Sequence, residues 1–483
     1  MRLRELFTNL NKAQDLEIKG INTDSKLISR GEIFVAIKGA EQDGHKFIKD
    51  AIKNGAVCVV KQKDIFVAKD IDLKKTTVIN VADTRKAISE LAAKYYDYPS
   101  EKLKVIGVTG TNGKTTITYL IESILEEAGY PTGLIGTINY KFKHMVLPSI
   151  NTTPGALEMQ AFLAKMAKEK LKYCVMEVSS HSLEQERVRD VNFHIAIFTN
   201  LTQDHLDYHH SLEEYFTAKA KLFTNLNPKA YAAVNIDDPY SSRLLKMTKA
   251  RKITFGFSKK SQIRAKNNNL SIQGSDFQIL TPKGRLSIQT GLIGRHNIYN
   301  ILAAVSVGFI EGINFSIIKR GIEKIDRVAG RMEAINQGQK FGVFVDYAHT
   351  EDALKNVISS LKEFHKGKII VVFGCGGQRD TTKRPKMGKL VSRLADYFII
   401  TNDNPRREDP QKIIKDILKG IKTKNYDIIL DRAKAIEKAI KMAKDKDTVL
   451  IAGKGHETSQ ILKDKSLAFD DREVTRRILN CLR

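Results

Sequence analysis

The sequence predicts an α/β protein of three domains, and three observations carry that expectation. The chain has 483 residues, enough for about three domains that each bury a core of their own. Short apolar runs alternate with segments of helical period along most of its length. The third observation is local: the apolar run 104–108 enters a glycine loop, Gly110-Thr111-Asn112-Gly113-Lys114-Thr115-Thr116, and the loop opens into a helix.

Residues 1–100 form the first predicted domain, small and α/β. Its strand-like runs are 33–37 and 56–60, its helix is 84–96, and Tyr98-Pro99-Ser100 reads as a linker. The turns Thr23-Asp24-Ser25 and Asp43-Gly44-His45 stand beside those strands, and such polar turns are usually turns and nothing more.

Residues 101–328 form the second, a central P-loop ATPase-type parallel sheet. After the glycine loop, Ile117, Leu120, Ile121, Ile124 and Leu125 recur at helical spacing until Gly129. Backbone N–H groups of such a loop and the helix start face an anion, Lys114 adds a charge, and Thr115 a hydroxyl suited to magnesium. A strict P-loop would place glycine at 108, where the chain has Val108, with Gly107 and Gly110 on either side. The bland alternative is a strand–turn–helix with a chance Gly-Lys-Thr. Further on, 133–137 reads as a strand and Asn151-Thr152-Thr153-Pro154 as a capped helix start. The apolar strands at 173–181 and 195–200 lead into polar clusters holding Glu177 and His205, and strand ends of a parallel sheet are where ligands bind. Both side chains are candidates for a magnesium ion at the phosphates. Each alone is equally a buried carboxylate or a satisfied histidine. The runs 232–238 and 294–300 carry polar residues that could hold a nucleoside, although capping explains most of them.

Residues 329–483 alternate strands (343–345, 369–373, 397–401, 448–452) with helices (353–364, 413–421, 432–443), the pattern of a doubly wound, Rossmann-like domain. Three strands run into loops, Gly374-Cys375-Gly376-Gly377, Asp403-Asn404-Pro405-Arg406 and Gly453-Lys454-Gly455-His456-Glu457, which build one rim for a small charged substrate. The first lacks G-x-G-x-x-G spacing, which excludes a dehydrogenase.

Composition narrows the class. Hydrophobic residues are 42% and charged residues 28%, ordinary for a globular protein. No apolar run approaches a membrane span and the first residues have no apolar signal core, so a cytoplasmic protein without membrane insertion is expected. The four cysteines are far apart and without metal-type spacing, as buried thiols of a reducing compartment would be. A net charge of +25 suits a nucleic-acid binder. The lysines, however, are scattered, and no basic block, aromatic-rich stretch or zinc spacing accompanies them; a solvated lysine-rich surface is the simpler account.

Taken together, Gly110 to Thr116, Glu177-Val178-Ser179-Ser180, Asp204-His205-Leu206-Asp207, Gly294-Arg295-His296-Asn297, Gly330-Arg331-Met332-Glu333 and Asp346-Tyr347-Ala348-His349 resemble, in this order, the Mur ligases of peptidoglycan synthesis. The resemblance spans all three predicted domains and extends to Val108. Within the family, the loops 403–410 and 453–457 resemble the members that add meso-diaminopimelate to UDP-N-acetylmuramoyl-L-alanyl-D-glutamate. One departure is Glu351, where the family usually has proline; at a helix start this bears on capping.

The resemblance implies ATP-driven amide formation through an acyl phosphate, with magnesium, ATP and a carbamoylated Lys219. It implies ATP contacts from Gly110, Thr111, Asn112, Gly113, Lys114, Thr115, Thr116, Asn297, Asn300, Arg331 and Asp346, the last two upon domain closure. Lys114, Lys219, Glu177 and His205 would be catalytic, with Thr115, Glu177, His205 and the Lys219 carbamate on the metal side. Ser25 and the Asp43-Gly44-His45 turn would hold the uridine diphosphate end, and Asn151, Thr152, Thr153, Ser179, Gln185 and Arg187 the muramoyl peptide. Arg379, Asp403, Asn404, Pro405, Arg406, Gly453 and Glu457 would hold the amino acid, in a monomer that binds no nucleic acid. Alternatives are a ligase adding glutamate to folate or lysine to the same nucleotide, disfavoured by Ser25 and Arg406, and a nucleic-acid-moving ATPase, for which no Asp-Glu pair follows an apolar strand. For Arg406 the competing account is a surface ion pair with Glu408 or Asp409.

Overall fold

The computed structural model of the chain describes residues 1–7, 16–39, 42–65, 76–271, 274–363, 366–463 and 465–482. They fall into two compact units, Met1–Gly107 with Pro131–His194, and Val108–Tyr130 with Ile195–Arg483.

The first unit opens with an all-parallel sheet of Gly20–Asn22, Glu32–Val35, Cys58–Gln62 and Thr77–Val81, in that order. Side chains alternate along a strand, so Ile33 and Val35 pack with Leu3, Leu6, Ile88 and Leu91 while Phe34 packs with Ile48, Ala51 and Val59. Both faces are thereby covered, as a parallel sheet needs. The helix Thr84–Tyr95 starts where Asp83 accepts hydrogen bonds from the N–H groups of Arg85 and Lys86. Tyr98-Pro99-Ser100 is a compact turn: Tyr98 is left-handed at φ +45° and the Ser100 hydroxyl accepts from Asn192 N at 3.0 Å.

The same unit holds Thr132–Ile135 parallel to Tyr173–Glu177, and a hairpin, Asn139–Phe142 with Met145–Pro148, absent from the sequence reading because its short strands carry little alternation. The helix expected from the capping residues at 151–153 begins later, at Ala156–Lys168 with Gly155 as its N-cap. The Thr153 hydroxyl is spent elsewhere, donating to Glu177 O at 2.8 Å.

In the second unit the strands Tyr231–Asn235, Arg251–Gly256 and the start of Ile263–Ser271 run parallel, and the last continues into an antiparallel meander with Gly274–Thr281 and Gly284–Thr290. The helix Lys114–Glu127 packs on Arg295–Ile310 and Phe315–Glu323. Gly321 permits the close approach, since a Cβ there would lie 2.6 Å from Ile124 Cα. A further sheet orders Glu333–Ala334, Gly342–Asp346, Thr448–Ala452, Ile369–Phe373, Tyr397–Ile400 and Tyr426–Ile428, parallel except for the first. Three of the helices around it, Glu351–Lys362, Pro410–Leu418 and Arg432–Met442, are those expected; Phe364, the expected end of the first, lies outside the described residues. Lys383–Leu394 and Asp471–Cys481 are additional, their apolar stripes broken by many charges.

Candidate active site

The strand Lys104–Thr109 ends where the glycine loop begins, and Lys114 opens the helix. Gly110 and Gly113 have φ of +147° and +91°. A Cβ at Gly110 would sit 1.8 Å from Thr199 Oγ1, and one at Gly113 would sit 2.4 Å from Asn300 Oδ1. Gly107 answers a different need: a Cβ there would meet the Phe193 ring at 2.6 Å. The loop is clipped by Thr199 Oγ1, which donates to Asn112 O at 2.7 Å, and by Asn112 N, which donates to Asn200 Oδ1 at 2.9 Å. Lys114 Nζ folds back onto the carbonyls of Gly110 and Thr111 at 3.0 and 2.9 Å. Thr116 is buried in the same turn. Asn300 Nδ2 donates to Asn297 Oδ1, and Asn297 Nδ2 to Ile293 O, so this buried amide pair borders Gly113 with fixed orientation.

Arg331 reaches this loop. Its Nη2 donates to Thr115 Oγ1 at 2.9 Å and its guanidinium lies 4.7 Å from the Tyr347 ring centre. Asp346 supports the arrangement from beneath: its two oxygens accept from Met332 N and Ala348 N, each at 2.7 Å. Burial raises the Asp346 pKa, against the pull of Arg331. Asp352 also touches the loop, accepting from Asn112 Nδ2 at 2.9 Å and Thr202 Oγ1 at 3.2 Å. An acid in a first helical turn reads from sequence as a dipole partner, which is why it did not stand out. Thr350 caps that helix, so Glu351 takes the first helical position without disturbing it.

Lys219 lies in the helix Leu212–Thr224, 1% exposed, with Nζ donating to Gly110 O at 2.9 Å. Burial and then Lys114 hold its pKa well below the ordinary lysine value, against Asp204. Asp204 is buried and faces His205 Nε2 at 3.4 Å, His349 Nε2 at 3.9 Å and Lys383 Nζ at 4.0 Å. Burial opposes its charge, but these three neighbours together hold its pKa below the carboxylate range. His205 itself is left-handed at φ +54° with a partly exposed ring. Among the described residues, no three His, Cys, Asp or Glu side chains converge as a metal-binding group.

The expected rim is present at the strand ends. Asp403 Oδ1 accepts from Asn404 N at 2.7 Å, and Gly453, at φ +118°, leaves room for Oδ2, which a Cβ would meet at 2.6 Å. Asn404 is buried, its Nδ2 donating to Glu457 Oε2 at 2.8 Å. Pro405 is buried too, its carbonyl packed where a Gly377 Cβ would stand. Arg406, left-handed at φ +54°, donates from Nη1 to Gly377 O at 2.9 Å. Burial and the nearby, exposed Arg379 lower its pKa, against Asp403 and Glu457. The competing ion pair does not form: Glu408 is held by Arg384, and Asp409 caps the next helix at Gln411 N.

In the first unit, Glu177 is 1% exposed and its carboxylate accepts from Thr137 N at 2.8 Å and Thr137 Oγ1 at 2.9 Å. Thr137 Oγ1 is 3.1 Å from Thr152 Oγ1, Ser179 N donates to Thr153 Oγ1, and Arg187 donates to Thr153 O at 2.9 Å and Gln185 Oε1 at 3.0 Å. The Asn151 carbonyl accepts from Tyr140 Oη. Five of the six expected muramoyl-peptide residues, Thr152, Thr153, Ser179, Gln185 and Arg187, thus share one network, while Asn151 is tied separately to Tyr140. Ser25 is buried elsewhere in the unit, beside Asn54. His45 is committed on both nitrogens, Nδ1 2.6 Å from Asp43 Oδ1 and Nε2 accepting from Gln62 N, so its side chain is a clip of the fold.

Residues 17–96, 108–308 and 330–455 match the Mur ligase family catalytic domain, the Mur ligase middle domain and the Mur ligase glutamate ligase domain. A Clostridium botulinum protein named UDP-N-acetylmuramoyl-L-alanyl-D-glutamate--2,6-diaminopimelate ligase is 45% identical over 99% of this chain and 98% of its own. A Bacillus velezensis protein of the same name is 43% identical over 99% of each. A solved structure of a ligase of that name superposes with a TM-score of 0.69 at 30% identity, covering 100% of this chain and 99% of the other. Mycobacterium tuberculosis folylpolyglutamate synthase shares the fold, with a TM-score of 0.64 at 16% identity over 76% of this chain and 92% of its own. Among the described residues no helix is long and apolar enough to cross a membrane. The chain belongs to the Mur ligase family.

Proposed function

We propose that this chain is the ATP-dependent ligase that joins meso-diaminopimelate to the D-glutamyl side-chain carboxylate of UDP-N-acetylmuramoyl-L-alanyl-D-glutamate, in the cytoplasm and as a monomer. The observation that carries the reading is the amino-acid rim: a half-buried Arg406, which forms no ion pair among the described residues, feels the charges of Arg379, Asp403 and Glu457. Diaminopimelate has a carboxylate and an ammonium at each end, and a site that prefers it over lysine needs a cation for the extra carboxylate. Arginine suits that group best through its planar fork.

The division of labour follows 1–100 for the uridine end, 101–328 for ATP and the muramoyl peptide, and 329–483 for the amino acid. The matched segments at 17–96, 108–308 and 330–455 support it. Gly110 to Thr116 cradle the phosphates, Lys114 turns from the loop carbonyls to the ligand, and Arg331 already stands at Thr115 to neutralise charge on the transferring group. The γ-phosphoryl group passes to the glutamyl carboxylate, and the amine of diaminopimelate displaces phosphate from the acyl phosphate. Asp352 holds one C-terminal helix against Asn112 of the loop and Lys383 another near Asp204, and such closure would shield that reactive species from water.

Within the second unit, Thr115 would offer magnesium a hydroxyl and His205 a partly exposed imidazole. When bound it supplies Lewis-acid charge neutralisation at the phosphates. A protonated Lys219 would repel it, but burial favours the neutral amine, which adds CO₂ with loss of a proton to give an anionic oxygen ligand. The deciding experiment is phosphate release with ATP, the UDP-muramoyl dipeptide and a panel of amino acids. Release with diaminopimelate and not with lysine or glutamate supports the assignment, and a preference for lysine overturns it.

A further inference from the structure

The Gly453-to-Glu457 loop holds a lysine that the reaction as set out does not use. Lys454 is 0% exposed. Its ammonium has three protons, and the structure accounts for all three: Nζ lies 3.1 Å from Asn404 Oδ1, 2.8 Å from Glu457 Oε2 and 2.7 Å from Ser459 O. A buried lysine is costly unless it is paired and fully hydrogen-bonded, and here its one carboxylate partner belongs to the amino-acid rim.

The neighbours close the arrangement. Asn404 Oδ1 also accepts from Ile461 N at 3.0 Å, which uses its second lone pair, and Nδ2 donates to Glu457 Oε2 at 2.8 Å. Oε2 of Glu457 therefore receives two donors from the interior of the protein, Lys454 and Asn404. Its other oxygen, Oε1, receives neither of these donors, and the Glu457 side chain is 29% exposed.

We propose that Lys454 is a positioning residue for amino-acid selection: with Asn404 it pins Glu457 by one oxygen, so that the other is presented in fixed orientation to an ammonium group of the incoming diamino acid. This rests on the reading of the rim as the amino-acid site. It assigns Asn404 a role through Glu457, since the amide oxygen is saturated within the fold. Selectivity follows, because a carboxylate that cannot rotate discriminates between ammonium positions that a free one would accommodate.

The test compares Lys454→Met, Asn404→Asp and Glu457→Gln with the unaltered enzyme in steady-state phosphate release, varying each substrate in turn. Asn404→Asp keeps the volume and gives Lys454 a second acid, but removes the donor to Oε2; it serves where Lys454→Met does not fold, as judged by thermal unfolding. Expected is a tenfold or greater rise in KM for diaminopimelate in Lys454→Met or Asn404→Asp. KM for ATP and for the muramoyl nucleotide should stay within about threefold. Adding Glu457→Gln to either should bring little further loss, because the residues act as one unit. A purely structural lysine would lower the unfolding temperature and leave the diaminopimelate KM unmoved, or give additive losses with Glu457→Gln; either result overturns the proposal. If the unaltered enzyme shows no diaminopimelate-dependent release, the assignment of the site fails instead, which separates the two outcomes.

Discussion

Arg384 grips Glu408 with two parallel hydrogen bonds, Nη1 to Oε1 at 2.6 Å and Nη2 to Oε2 at 2.7 Å. Arg384 is fully buried, and its bonds to Glu408 hold that carboxylate below its usual range. A bidentate pair of this kind does not exchange readily for a weaker contact. The acid nearest in sequence to Arg406 is thereby taken, and among the described residues the Arg406 guanidinium donates to backbone carbonyls, of Gly377 at 2.9 Å and Asn404 at 3.4 Å.

Arg406→Ala is accordingly expected to lower kcat/KM for diaminopimelate by roughly a hundredfold or more, the cost of leaving a partly buried carboxylate without its cation. Lysine should stay a poor substrate, since the site loses its grip without gaining a new one. Competition kinetics with the two amino acids measure this. Unchanged diaminopimelate kinetics would remove the arginine from the site.

Lys114→Ala should abolish ATP-dependent ligation while far-ultraviolet circular dichroism stays as in the parent. The Lys114 Nζ donates to the loop carbonyls of Gly110 and Thr111. What it supplies is a positive charge fixed at the phosphates, worth most where water is excluded. Turnover within tenfold of the parent would refute the nucleotide assignment.

The extent to which all this was legible in the sequence differs by kind of signal. The glycine loop, the apolar strands 369–373 and 448–452 and the three C-terminal loops declared themselves, because a parallel strand covered on both faces is a short, continuous apolar run ending in glycine. Arg331 and Asp346 needed the family resemblance, since nothing in their spacing ties them to Thr115, 216 residues away from Arg331 in the chain. Asp204, Asp352 and Lys454 were missed as partners. Each acts by charge or hydrogen bonding with residues distant in sequence, and periodicity carries no trace of such pairings. The hairpin at 139–148 was missed because two four-residue strands alternate too briefly to register.

His296 gives a stability prediction with a definite sign. Its ring is 3.3 Å from Ser360 Oγ, and burial pushes its pKa down to about 4. In the unfolded chain the value is about 6.5. Between those two pH values the unfolded state takes up a proton that the folded state refuses. Stability is therefore full above about 6.5 and declines as pH falls toward 4, by at most ~1.4 kcal/mol per pH unit from this group. His296→Gln should show a smaller drop in thermal midpoint between pH 7.5 and 5.0 than the parent. An equal drop would mean that His296 does not titrate across the transition.

Lys219 carries the last prediction, and its geometry limits the outcomes. Its Nζ shares the Gly110 carbonyl with Lys114 Nζ, at 2.9 and 3.0 Å, and sits 4.4 Å from the Tyr215 ring centre. Burial disfavours the ammonium form of Lys219, and the nearby Lys114 adds to that, so Lys219 gives up its proton more easily than an ordinary lysine. The neutral amine is the form that reacts with CO₂. If the product is a ligand for magnesium, Lys219→Ala loses most of its activity, and short carboxylic acids, which place an anionic oxygen in the vacated volume, restore part of it. Depleting CO₂ from the unaltered enzyme should lower its rate in the same direction, and bicarbonate should restore it. Mass spectrometry alone would not decide the matter, because carbamates are lost on acidification. Were Lys219→Ala fully active with no addition, the lysine would be a packing residue and the metal would need an oxygen from elsewhere. Were it inactive and unresponsive to carboxylic acids, while the parent ignored CO₂, the ammonium itself would be the working group, holding the Gly110 carbonyl and thereby the shape of the phosphate loop.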